Sequence, residues 1–191
     1  MPPFALLMIE HRLIERMLRL MAQEKDRLQA NIAVSPEFAF VEPRFLRDAV
    51  AFLQVYVEAR HHGKEEALLF AALQEKPLSP EHRRILMQLQ AEHRYGRQAT
   101  QNLAAAAQRY HQGHEAALTD ILASLESLLN FYPAHIATED QEFFLPVMVY
   151  FSPAEQEALL DRMRTFDQGH DQVAADQLVA AWEAQGCKCH L

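Results

Sequence analysis

Ten histidines in 191 residues is roughly double an ordinary share, and imidazole is the side chain most often used for metal binding and proton transfer near neutral pH. Their spacing adds to this. A His-x-x-x-Glu pair sets an imidazole and a carboxylate one above the other on the same face of a helix. Eighteen Glu would give about one such pair by chance, yet the sequence has five: His11/Glu15, His61/Glu65, His62/Glu66, His111/Glu115 and His135/Glu139. The doublet His61-His62 with Glu65-Glu66 supplies two of these.

The elements that must carry these residues are helices. The chain has only five Gly, is rich in Ala, Leu, Glu, Gln and Arg, and shows no sustained alternation of apolar and polar residues. The pattern predicts a first helix over about 3–30, a loop from Asn31 to Glu42, and a second helix over about 43–75 that starts at Pro43. Ser79-Pro80 caps a third helix reaching about 110, and the break His111-Gln112-Gly113-His114 precedes a fourth over about 115–150, with Pro133 expected to kink it. Ser152-Pro153-Ala154-Glu155 starts a fifth that continues, broken near Asp167-Gln168-Gly169, to Trp182. Long helices and short loops predict an all-α, antiparallel up-and-down four-helix bundle with an additional C-terminal helical segment.

In such a bundle a rise of ~1.5 Å per residue puts His11 at about 12 Å above one end, His61 and Glu65 at about 15–21 Å, His93 at about 20 Å, and His135 and Glu139 at about 17–23 Å. Each of four helices therefore brings a His to one level, and two add a Glu one turn away. Four imidazoles and two carboxylates in a bundle core make a site for two metal ions, of iron, manganese or zinc. The alternative bundle template with two Glu-x-x-His motifs fits poorly, because the chain has only Glu58-Ala-Arg-His61.

The segments Ile9-Glu10-His11-Arg12, His61-His62-Gly63-Lys64-Glu65-Glu66-Ala67-Leu68-Leu69-Phe70, Glu92-His93-Arg94-Tyr95-Gly96-Arg97 and His135-Ile136-Ala137-Thr138-Glu139-Asp140-Gln141-Glu142-Phe143-Phe144 together resemble the haemerythrin-like (HHE cation-binding) domains, of the four-His, two-carboxylate type. The resemblance covers roughly residues 3–150. It implies that His11, His61, Glu65, His93, His135 and Glu139 hold an oxo- or hydroxo-bridged pair of iron ions, with zinc or manganese as substitutes. Oxygen-carrying members use a fifth His, four residues from the first on the third helix. Here those positions are Leu89 and Arg97, which argues against a dedicated oxygen carrier. On the fourth helix both Glu139 and Asp140 are within reach of the family pattern, and the His-x-x-x-Glu form favours Glu139.

The function implied is binding or sensing of a small diatomic or redox ligand: oxygen, nitric oxide or peroxide. The alternatives are a di-iron enzyme with peroxidase-like, nitric-oxide-reducing or iron–sulfur repair activity, and a helical interaction module with a structural metal. A homo-oligomer or a redox partner is compatible with any of these. Helical geometry puts His62 and Glu66 about 100° around the helix from His61 and Glu65, so they are expected to be solvated or to orient a ligand. Glu15 is expected to pair with nearby Arg, His111 and His114 to lie in a loop, and Tyr56, Tyr95 and Tyr132 to pack, with one able to donate a hydrogen bond to a bound oxygen species.

The expected organisation is a bundle over 1–150, a C-terminal helical extension over 151–186 and a Cys187-Lys188-Cys189-His190 tail at 187–191. The tail offers too few donors to close a metal site alone, and could act as a redox pair or in metal delivery. A net charge of −8 with no basic block argues against nucleic acid as a partner. No apolar run reaches the ~18 residues of a membrane span, and no basic leader or cleavage site opens the chain, so the expected compartment is the cytoplasm.

Overall fold

The computed structural model describes residues 2–35, 40–169 and 172–186. Proline sets most helix starts, because its missing N–H costs nothing in a first turn. Helix α1 runs Pro3–Val34. Helix α2, over 43–74, opens at Pro43 with the Glu42 carboxylate accepting from Arg44 N–H. Helix α3 runs Pro80–His111, with Ser79 Oγ accepting from His82 N–H. It ends in a turn at Gly113, whose φ of 90° lies in the left-handed region that glycine adopts without strain. Helix α4 covers 117–147 and runs on into one short 3₁₀ turn, Met148–Tyr150. Pro133 sits inside its α-helical stretch, Ala117–Ala137. A full capping box of Ser152 and Glu155 starts α5, Pro153–Asp167, and α6 follows at Gln172–Gly186.

Helices α2 and α4 are not wound uniformly. Leu53–His62 and Glu65–Phe70 in α2, and Thr138–Phe143 in α4, take the wider π winding, with hydrogen bonds from residue i to i+5. Such segments are rare and concentrate at functional sites. Here they carry His61, Glu65 and Glu139.

The first four helices close a ring in which α1 packs on α2, α2 on α3, α3 on α4 and α4 on α1. This is the antiparallel up-and-down bundle that short connections favour. Outside it, α5 lies against α1 and the Glu65–Phe70 stretch of α2, and α6 lies against α1 and α2. Trp182 of α6 sets its ring edge-on to Phe45 at 5.1 Å and donates to Asp48 Oδ2 at 3.2 Å. Arg16 of α1 grips Glu183 and Asp176 of the same helix. No helix among the described residues is long and apolar enough to cross a membrane.

The core has two apolar clusters. One is built around Leu13, Met17, Leu53, Leu103, Leu125 and Leu128, the other around Leu7, Leu69, Phe70, Leu73, Leu89, Phe143 and Phe144. A stratum of buried polar side chains lies among them: Glu10, His11, Arg60, His61, His62, Lys64, Glu65, His93, Thr100, His135 and Glu139. Charged groups are almost never fully buried unless paired or ligating a metal, so this stratum is where the sequence departs from fold-building and turns to chemistry.

Candidate metal centre

The six sequence-expected residues come together from four helices: His11 on α1, His61 and Glu65 on α2, His93 on α3, and His135 and Glu139 on α4, none more than 2% exposed. Glu65 spans two imidazoles, with Oε1 at 3.4 Å from His61 Nε2 and Oε2 at 3.3 Å from His93 Nε2. Glu139 does the same from the opposite wall. Its Oε2 is 3.1 Å from His11 Nε2, and its Oε1 is 3.4 Å from His135 Nε2 and 3.6 Å from His93 Nε2. His11 Nε2 and His61 Nε2 approach to 3.0 Å. One donor atom from each of His11, His61, Glu65 and Glu139 fits within 4.8 Å, and so do those of His62, His93 and His135. The arrangement is two adjacent donor clusters bridged by two carboxylates.

A close approach of α3 and α4 makes part of this possible. A side chain on Gly96 would meet Phe131 at 3.0 Å, and on the same contact the His93 and His135 rings stand 5.1 Å apart. Phenylalanines close the stratum: Phe144 stacks on His11 at 5.7 Å, Phe70 on His93 at 5.4 Å and Phe131 on His135 at 5.3 Å.

Every one of the four imidazoles is oriented by a carboxylate on its outer nitrogen, and the four carboxylates follow one rule. Glu10 of α1 takes His61 Nδ1 of α2 at 2.9 Å, and Glu66 of α2 takes His93 Nδ1 of α3 at 2.7 Å. Glu92 of α3 takes His135 Nδ1 of α4 at 2.8 Å, and Asp140 of α4 takes His11 Nδ1 of α1 at 2.8 Å. Each carboxylate is the chain neighbour of a residue in the central cluster but serves the next helix round, so the pairs form a closed circuit. Arg97 secures Glu66, Gln88 secures Glu92 and Arg12 secures Asp140. Carboxylates on Nδ1 assign the proton to that nitrogen and aim the Nε2 lone pairs inward, the arrangement that fits imidazole for a metal.

Without a cation between them, the inward nitrogens attract protons. Burial opposes this, but the hydrogen bonds to Asp140 and Glu139 outweigh it and raise His11 to about 10. Glu139, Glu65 and Glu66 likewise raise His93 to about 11. Burial also opposes the charge on Glu139, yet His135, His11 and His93 hold its carboxyl well below the usual range.

Within this cluster the oxygens of Glu65 and Glu139 and Nε2 of His93 and of His135 meet only one another and the neighbouring imidazoles, at 3.1–3.6 Å, and Nδ1 of His62 is buried with no hydrogen-bond partner. Cations satisfy carboxylate oxygens and imidazole lone pairs together, and this donor set fits iron, manganese or zinc.

A second buried group lies behind His61. Glu10 Oε1 is 2.5 Å from Lys64 Nζ and 3.1 Å from Arg60 Nη2, and Asp167 Oδ1 is 2.6 Å from Lys64 Nζ and 3.0 Å from Arg60 Nε. Glu10 and Asp167 thus each pair with both cations, and Asp167 is the last residue of α5. Although burial pushes the other way, His61 and Lys64 lower the Glu10 carboxyl to about 2.

The placement of His62 corrects the expectation of a solvated residue. It is 1% exposed, with its ring stacked on His93 at 3.9 Å and 12°. The expectation assumed α winding, which separates neighbours by about 100°, whereas His61 and His62 end a π-wound stretch that holds more residues per turn. Burial, followed by His93, His61 and His135, holds His62 well below its ordinary value, so it is neutral. Glu66 is an orienting partner, and Glu15 pairs with Arg12 at 3.1 Å. His111 and His114 are exposed, and His82 faces Tyr150 at the far end. Tyr95 pairs with Ser127 at the surface, while Tyr56 and Tyr132 are buried with unpartnered hydroxyls. Cys187, Cys189 and His190 lie outside the described residues. Glu10, Glu92, Arg60, Lys64 and Asp167 were not singled out from sequence. The available signal was the pair of acidic neighbours, Glu10-His11 and Glu92-His93, matching Glu65-Glu66 and Glu139-Asp140.

No curated protein and no solved structure matches the chain significantly. The family model of the Hemerythrin HHE cation binding domain matches residues 3–145, which contain all six of the converging residues expected from sequence. With three quarters of its length matched and its buried His/Glu clusters poised for cations, the chain is a metal-binding protein of the haemerythrin HHE cation-binding family.

Proposed function

We propose that the chain holds two iron ions between Glu65 and Glu139, with His11 and His61 on one and His93 and His135 on the other, and that this centre binds or senses oxygen, nitric oxide or peroxide. The observation that carries the reading is the buried convergence of two carboxylates and four imidazole Nε2 atoms, each imidazole held by an outer carboxylate. Bound iron would supply one- and two-electron chemistry and coordination positions open to a small ligand.

Burial supports the size of the ligand. With all six residues at most 2% exposed and roofed by Phe70, Phe131 and Phe144, the centre favours a ligand with two non-hydrogen atoms over an organic substrate. Burial pushes the Tyr56 and Tyr132 phenols above their ordinary range. Both phenols stay protonated and able to donate a hydrogen bond.

The test is elemental analysis of the purified chain, with optical spectra before and after anaerobic reduction and on adding air or nitric oxide. Two irons and bands that bleach on reduction and return with ligand are expected. Stoichiometric zinc with a silent spectrum would replace this reading with a structural metal, and sustained consumption of peroxide or nitric oxide with a reductant would replace it with an enzyme.

A further inference from the structure

We infer that His62 is a fifth imidazole ligand, on the ion shared with His93 and His135, delivered from the second helix instead of the third. This rests on the two-ion reading above. Two features converge on it. A ring nitrogen of His62 lies within 4.8 Å of those of His93 and His135, the same spacing that groups His11, His61, Glu65 and Glu139. Nδ1 of His62 is buried and has no hydrogen-bond partner, whereas Nδ1 of each of the other four imidazoles meets a carboxylate. A polar atom enclosed in this way is costly unless something pairs with it.

The winding of α2 explains how two consecutive residues reach one interior. His61 and His62 close the π-wound stretch Leu53–His62, so the angle between neighbours is narrower than in an α-helix. His61 then serves the cluster with His11, and His62 the cluster with His93. On α3 the positions four residues from His93 are Leu89 and Arg97, and Arg97 is occupied with Glu66. The third helix therefore cannot supply a second imidazole, and the second helix does. The two ions become unequal: two imidazoles on one and three on the other, each sharing Glu65 and Glu139.

The competing role for His62 is a stacking plate for His93, since the rings lie 3.9 Å apart. His62→Phe separates the roles because it keeps the plate and removes the donor. The measurement is a titration of metal-free full-length chain with Co²⁺ alone, followed by bound metal and the visible absorption of the ion, which intensifies as coordination number falls. Wild type should take two ions. His62→Phe should keep its helical circular dichroism, bind one ion as wild type does, and bind the other at least about tenfold more weakly, since losing a direct ligand should cost no less than losing an outer partner. His62→Gly with added imidazole should recover the wild-type spectrum, which a stacking role would not require. Two Co²⁺ bound by His62→Phe with wild-type affinity and spectrum would overturn the assignment. If wild type itself takes fewer than two ions, or His61→Ala still takes two, the two-ion reading fails, and the assignment of His62 with it.

Discussion

Asp167 carries no metal-facing donor, yet its replacement by Asn should weaken the fold measurably. It supplies one of two carboxylates that neutralise Lys64 and Arg60, which are 0% and 1% exposed. In Asp167→Asn, Lys64 and Arg60 lose a carboxylate that holds them both, so their buried positive charge is less well compensated. Breaking a buried ion pair by removing one partner costs about 3–5 kcal/mol. Asp167 is 17% exposed and Asn keeps an acceptor oxygen, so the lower end, about 3 kcal/mol, is expected. For a chain of this size that corresponds to a fall in Tm of about 6–12 °C. The assay is thermal and urea unfolding of the metal-free chain followed by circular dichroism. The double variant Asp167→Asn/Lys64→Met removes one charge of each sign and should be more stable than the sum of the single effects predicts, by about 0.5–3 kcal/mol. A loss below about 0.5 kcal/mol for Asp167→Asn, the size of an ordinary surface change, would refute the claim that Asp167 compensates buried charge here.

Further outcomes follow from the same geometry. Asp140→Asn leaves His11 without a carboxylate on Nδ1 and should weaken metal binding about 10–100-fold, whereas Glu139→Gln should remove metal from both clusters; elemental analysis after dialysis separates them. Because His11 and His93 are raised from 6.5 to about 10 and about 11 without a cation, loading at pH 7 should expel protons, read by calorimetry in buffers of different ionisation enthalpy; no proton release would contradict the assignment. The same raised values mean that their contribution to metal-free stability is full below pH 6.5 and is lost as pH rises through about 10–11. His111→Ala and His114→Ala, both exposed, should leave metal content unchanged.

What was legible in the sequence was whatever depended on periodicity and level. Pro43, Pro80 and Pro153 mark helix starts within a residue, and the common height of His11, His61, His93 and His135 anticipates their meeting. The i,i+4 spacing anticipates Glu65 beside His61 and Glu139 beside His135. His62 was illegible because a helical wheel assumes uniform winding, and nothing in Leu53–His62 announces π geometry. Glu10 and Glu92 escaped for a different reason: each serves a His on another helix, and a contact across 51 or 43 residues has no local signature. Asp167 lies outside the family-matched span altogether, and only the docking of α5 reveals it.

The circuit of carboxylates running α1 to α2 to α3 to α4 and back to α1 bears on how the protein folds. No helix orients its own imidazole. A hairpin of two helices has one imidazole fixed, and three docked helices in series have two. Only the arrival of the last helix makes both remaining contacts at once, Glu92 to His135 and Asp140 to His11. Metal affinity should therefore rise in one late step, and a chain caught with one helix undocked should be a poor chelator despite carrying most of the donors. The centre doubles as a checkpoint on completion of the bundle.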